Sequence, residues 1–149
     1  MTMVESKYGK YIITQTKPNL EVPEFRGQDL TKVDWSTQFL YLDDEVIKGS
    51  FYFECIWMWE ADPSPVGAEP HTHDFNEVLG FCGTNFDDPT DLCGEIELWL
   101  GDEKHVLTKS CIVFIPKGLK HCPLKIKRVD RPIFHFGTGT SGMYTGKKA

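Results

Sequence analysis

Three histidines and a glutamate sit in two short segments, His71-Thr72-His73 with Glu77, and Pro116-Lys117-Gly118-Leu119-Lys120-His121. This pairing limits the possible folds more than anything else in the chain, because two distant segments must meet for the four side chains to act as one set. His71, His73 and Glu77 are all odd-numbered, so a continuous strand would carry them on one face. In the second segment a tight turn leads a histidine into a new strand. Three imidazoles and one carboxylate, with positions left open, suit one divalent transition metal (Fe, Mn, Ni or Zn) better than Mg or Ca.

The rest of the chain reads as short strands between turn signals, with no long helix. Peripheral strands are expected at residues 11–14 and 37–42, with Pro18, Pro23 and Gly27 marking irregular chain between them. Residues 51–60 alternate, with Phe51, Phe53, Cys55, Trp57 and Trp59 on one face and Tyr52, Glu54, Ile56, Met58 and Glu60 on the other. A proline-rich loop, 62–67, delivers the chain to the histidines. Strands follow at 76–81, 95–100, 104–107, 111–115, 121–129 and 132–137, with a hairpin turn at Gly101-Asp102. Residues 84–93 read as an acidic insertion with Asp87, Asp88 and Asp91, either a solvated loop or a rim over a barrel mouth. The tail, 138–149, is expected to be mobile or to pack on a partner.

A chain of 149 residues can bury one sizeable core, and 40% hydrophobic content excludes disorder throughout. The net charge of −6 argues against a nucleic-acid partner or an anionic membrane. No apolar run is long enough to span a membrane, and the first residues lack a signal-peptide core. Cys55, Cys82, Cys93, Cys111 and Cys122 form an odd set without Cys-x-x-Cys spacing, which suits a reducing cytoplasm.

Both histidine segments, in this order, resemble the two motifs of the cupin superfamily. There the first motif reads Gly, a spacer, His-x-His, three or four residues, Glu, then Gly. The second reads Gly, five residues, Pro-x-Gly-x-x-His, three residues, Asn. Gly67, His71, His73, Glu77 and Gly83 match the first, and Pro116, Gly118 and His121 the second. Gly67 and Gly83 stand closer to the ligands than usual, Ser110 replaces the opening Gly, and Lys125 the closing Asn. None of these departures removes a ligand, but together they count against a well-known enzymatic subfamily.

The resemblance covers about residues 50–137 and implies an all-β fold: a double-stranded β-helix, or jelly-roll barrel, with peripheral N-terminal strands. Residues 1–149 then form a single domain, with an N-terminal arm at 1–49. The metal would sit inside the barrel on His71, His73, Glu77 and His121, Glu77 being the ligand some cupins lack. Single-domain cupins commonly pair or exchange edge strands, so a homodimer through the N-terminal segment is expected.

Other residues leave alternatives open. His135, between Phe134 and Phe136, either points into the barrel as a general acid or base or packs as a core histidine. His105 reads as surface. Cys82 and Cys122 fall by parity on the face opposite their ligand neighbours, as small core residues. Phe53, Trp57 and Trp59 either line the pocket or pack in the core. The expected activity is metal-dependent chemistry on a small organic acid or carbonyl compound: isomerase, lyase or decarboxylase, or dioxygenase with iron. The alternative is a module that binds or senses a small molecule without turnover. A base beside the open metal positions would separate the two, and His135, Glu54 and Glu60 are the candidates.

Overall fold

The computed structural model describes residues 6–26, 33–64 and 67–149; Gly27 and the Pro65-Val66 part of the proline-rich loop lie outside them. Among the described residues ten strands follow one another: β1 (Ser36–Leu42), β2 (Phe53–Met58), β3 (His71–Thr72), β4 (Glu77–Cys82), β5 (Asp91–Leu100), β6 (Glu103–Lys109), β7 (Cys111–Ile115), β8 (His121–Val129), β9 (Ile133–Gly139) and β10 (Lys147–Lys148). They form two antiparallel five-stranded sheets, ordered β1-β2-β9-β4-β7 and β10-β3-β8-β5-β6. This is the expected all-β jelly roll. Among the described residues no helix is long and apolar enough to cross a membrane.

The core follows from period-2 patterning. Ile56 and Met58 on β2, Phe81 on β4, Ile96 and Leu98 on β5, and Ile126 on β8 point inward and are almost fully buried. Gly67 supports this close packing. Its φ is +75°, and a Cβ there would collide with the Leu124 carbonyl oxygen, which accepts the Ala68 N–H at 3.0 Å. That contact ties the start of the first motif to β8.

Several expectations change. Residues 11–14 form no strand: a single 3-10 turn, Gly9–Tyr11, precedes irregular chain. Four residues with one flanking lysine and no pairing partner cannot sustain a strand alone. Of the expected N-terminal strands only β1 forms. Segment 6–26 runs over this chain's own barrel, where Phe25 is buried against the rings of His71 and His73 at 5.1 and 5.6 Å.

The tail also packs on its own chain. Residues 138–139 complete β9, and β10 pairs with β3, Lys148 opposite His71. The loop after β4 lies at the end of that strand away from Glu77. Thr84 Oγ1 donates to the Pro132 carbonyl at 2.8 Å, and the Gly83 N–H donates to Ser110 Oγ at 3.0 Å. The 84–93 segment is therefore no rim over the histidines, and its last residues, from Asp91, belong to β5.

Candidate metal centre

The four sequence-selected side chains meet at one end of the barrel. His71 on β3 faces His121 on β8 as a directly opposed pair, with ring centroids 4.3 Å apart. His73 lies 4.7 Å from His71 and 5.0 Å from His121 by ring centroid. The chain from His71 to Glu77 is not one continuous strand, contrary to the parity expectation. β3 stops at Thr72, a bend covers 74–75, and β4 begins at Glu77. The bend is held by the second motif: Gly118 donates its N–H to the His73 carbonyl at 2.9 Å, and Lys117 donates its own to Asn76 Oδ1 at 2.9 Å. The Pro-x-Gly turn thus docks one motif on the other.

Each imidazole is fixed by a backbone carbonyl at Nδ1: Glu69 for His71 (2.7 Å), Thr145 for His73 (2.6 Å) and Leu119 for His121 (3.0 Å). A carbonyl only accepts, so Nδ1 carries the hydrogen, and in the neutral ring Nε2 is left with a bare lone pair. Burial pushes the pKa of His71 down to about 4, helped by neighbouring His121, and burial also lowers that of His73.

Glu77 is buried, which by itself would raise its pKa, while the Tyr52 hydroxyl that donates to it favours the ionised form. Its Oε1 stands 3.3 Å from His121 Nε2 and 3.5 Å from His73 Nε2, while Tyr52 donates to Oε2 at 3.1 Å. The two Nε2 distances look like ion pairs, yet a neutral ring with its hydrogen on Nδ1 has nothing to donate. Consistent with this, His73 Nε2 and His121 Nε2 are buried without a hydrogen-bond partner among the described residues. The ligand atoms of His73, Glu77 and His121 all lie within 4.8 Å of one another. A convergent set of lone pairs around one point fits a divalent cation.

Sequence reasoning missed several neighbours. Tyr52 fits beside Glu77 because Gly137 is bare: a Cβ there would lie 2.7 Å from the Tyr52 hydroxyl. Cys122, assigned by parity to the far side, has φ +73°, which turns its Sγ to within 4.8 Å of ligand atoms of His71 and His121. Burial pushes that thiol up to about 12. Arg26, partly buried at the end of the 3-10 turn Glu24–Arg26, places a guanidinium nitrogen 3.5 Å from Glu54 Oε1. Nothing in a lone arginine of a proline-rich segment marks it in sequence.

A chamber with room for about 40 Å³ adjoins the site, lined by His71, Glu77, His121, Leu79 and Ile126 among others. Arg26, Glu54 and Tyr144 line both this chamber and a larger outer cavity of about 400 Å³ under segment 17–23. His135, on β9 opposite Phe81, also lines the chamber, four positions along the sheet from Glu77. Its ring stacks on Phe81 at 4.5 Å and bonds the Gly80 carbonyl at 2.8 Å. His105 is on the surface beside Glu103, Glu60 is exposed, and Cys82 lies outside the site. Phe53, Trp57 and Trp59 neither line the chamber nor fill the core: they stand on the outer face of the first sheet, with Tyr52 and Glu54 on the inner one.

No protein-family model and no curated protein matches the sequence. Solved structures do match in shape. The oxalate decarboxylase of Lactobacillus farciminis, in a formate complex, matches at TM-score 0.52 and 12% identity, over 78% of this chain and 32% of that one. An oxalate oxidase bound to the substrate analogue glycolate gives a TM-score of 0.49 at 14% identity, over 80% and 57%. KdgF from Halomonas sp. gives 0.44 at 16%, over 75% and 86%. The chain thus spans about a third of the decarboxylase chain and little over half of the oxidase chain. At such identities the likeness speaks for the fold alone. With two five-stranded sheets closed as a jelly roll and both histidine motifs joined at one end, the chain has the cupin fold.

Proposed function

We propose that this protein is a divalent-metal enzyme acting on a small organic acid or carbonyl compound, with His71, His73, Glu77 and His121 as ligands. One observation carries the reading: two buried Nε2 lone pairs face a carboxylate and have no hydrogen to share with it. Iron, manganese, nickel and zinc all suit three nitrogens and one oxygen. Such a cation, when bound, supplies Lewis acidity to a substrate carbonyl or carboxylate oxygen.

The chain's own groups account for the rest. Tyr52, whose hydroxyl burial keeps protonated, holds Glu77 in place. Arg26 lies between outer cavity and chamber, where its guanidinium can orient an anionic substrate group. Glu54, which accepts the Gln38 amide at 2.9 Å, lines both spaces and is the carboxylate placed to accept a proton from a substrate held there. His135 serves as a second proton-handling candidate at the chamber's inner end. Leu79, Ile126 and Met58 exclude water from the remaining walls. Isomerase, lyase or decarboxylase chemistry suits a redox-inert metal, and dioxygenase chemistry suits iron.

The test is elemental analysis of protein purified without added metal or chelator, followed by a screen of small hydroxy, keto and dicarboxylic acids. Near-stoichiometric metal and turnover that falls in Glu54→Gln support the enzyme. Persistent lack of metal after reconstitution overturns it. The small chamber, with room for one or two waters, favours the second reading, a module that binds a small ligand without turnover. Tight metal binding with no turnover of any acid would support that reading.

A further inference from the structure

The outer face of the first sheet carries almost no polar side chain. Directly opposed residues share a face, so its rungs can be read from strand register. One runs Leu40–Cys55–Phe136–Gly80–Ile112, and the next Leu42–Phe53–Thr138–Val78–Phe114. A third contains Trp57 opposite Phe134. Trp57 stacks on Trp59 at 5.6 Å and on Phe39 at 6.3 Å. Gly80 is bare because the Phe136 ring lies across it, where a Cβ would collide. Not one of these positions is charged, in a chain with 26% charged residues. Ile112 and Phe114, at the sheet's edge, are 70% and 58% exposed.

The second sheet shows the contrast. Its outer face sets Glu97 opposite Lys125, and Glu97 also reaches Lys104 Nζ at 3.8 Å. A solvated sheet face looks like that one. A contiguous apolar face marks a surface that is covered.

We propose that this face packs against the same face of a second copy of the chain. Five strands at about 4.8 Å spacing and some 20 Å of strand length give a footprint on the order of 500 Å². Two such footprints face to face bury about 1,000 Å² in total, the lower bound for a specific interface. With no charge on the sheet rungs themselves, the face suits an equally apolar sheet, stacked about 10 Å away about a two-fold axis. It also carries a knob and a hollow. Phe86, 93% exposed, borders with Trp57, Trp59 and Pro132 an open groove of about 540 Å³, with Thr84 and Arg131 at its rim. A two-fold axis lets each copy's Phe86 enter the other's groove. The dimer expected from the sequence is thus placed on the aromatic face, away from the N-terminal edge.

Sedimentation velocity on the full chain at about 10 to 100 µM tests this. The wild type should sediment at twice the 17.0 kDa chain mass. Ile112→Lys/Phe114→Lys and, separately, Phe86→Ser alter exposed side chains, so circular dichroism and metal content should stay as in the wild type. The double variant should weaken dimerisation at least 100-fold, and Phe86→Ser about tenfold. A wild type that stays at 17.0 kDa overturns the proposal, including one that instead partitions onto phosphatidylcholine vesicles. So does a dimer that persists unchanged in both variants.

Discussion

His121 Nε2 and Glu77 Oε1 face each other at 3.3 Å, and in the neutral imidazole neither atom carries a hydrogen. Two lone pairs buried at that distance repel. The arrangement is favourable once a positive charge lies between them, which is why the site reads as a metal centre rather than an ion pair.

Replacing either unpartnered histidine should therefore remove the metal without removing the fold. His73→Ala and His121→Ala should each lower metal affinity more than about 100-fold, judged from the tenfold to 100-fold lost when even outer-shell partners are removed. Competition against a chelator of known affinity reads this, with circular dichroism as the folding control. Full metal content in either variant would show that the ligand set is wrong.

Tyr52→Phe deletes one hydroxyl that donates to Glu77. Metal affinity should fall about tenfold, and metal-free stability by about 1 kcal/mol. Wild-type affinity in this variant would mean that Glu77 is positioned by its strand alone.

Arg26, partly buried, is the cation paired with the buried Glu54 carboxylate, which also accepts the Gln38 amide. Arg26→Met leaves the buried carboxylate with the Gln38 amide but no cation and should cost up to about 3 kcal/mol. Arg26→Met/Glu54→Gln should recover most of that loss. Urea melts of the three proteins give the coupling directly, and additive losses would show that the pair does not interact.

Acid should destabilise the metal-free protein well above the carboxylate range. Burial lowers the pKa of His71 (to about 4), His73 and His135 from the ordinary 6.5. Unfolding releases these rings to take up protons, so stability is full above pH 6.5 and falls as the pH drops towards 4. Each histidine contributes a slope of at most about 1.4 kcal/mol per pH unit. Urea midpoints of stripped protein at pH 7.5, 6 and 5 should fall in that order; a flat series would contradict the assignment of neutral buried rings.

The strands from 111 to 137 were legible because apolar alternation and the flanking turns agree there: β7 and β8 begin and end where the sequence places them. The candidate ligands were legible because two motifs coincide. What stayed hidden depends on contacts that no local pattern encodes. Cys122 reaches the site through a left-handed backbone that breaks the parity rule. Arg26 arrives from 45 residues before His71, carried by irregular chain. The aromatic stripe of β2 was visible, but its direction was not: either face of that strand is apolar enough to be the core, and only closure of the barrel turns Tyr52 and Glu54 inward.

The docking of residues 140–149 has a kinetic consequence. His73 is oriented by the Thr145 carbonyl, with Gly146 packed against the same ring, a contact spanning 72 positions. The barrel can stay folded while this short segment lifts, because β10 pairs only two residues. Lifting would let the imidazole turn and surrender its ion. The residence time of a bound metal is then a property of the tail's opening equilibrium rather than of ligand strength alone.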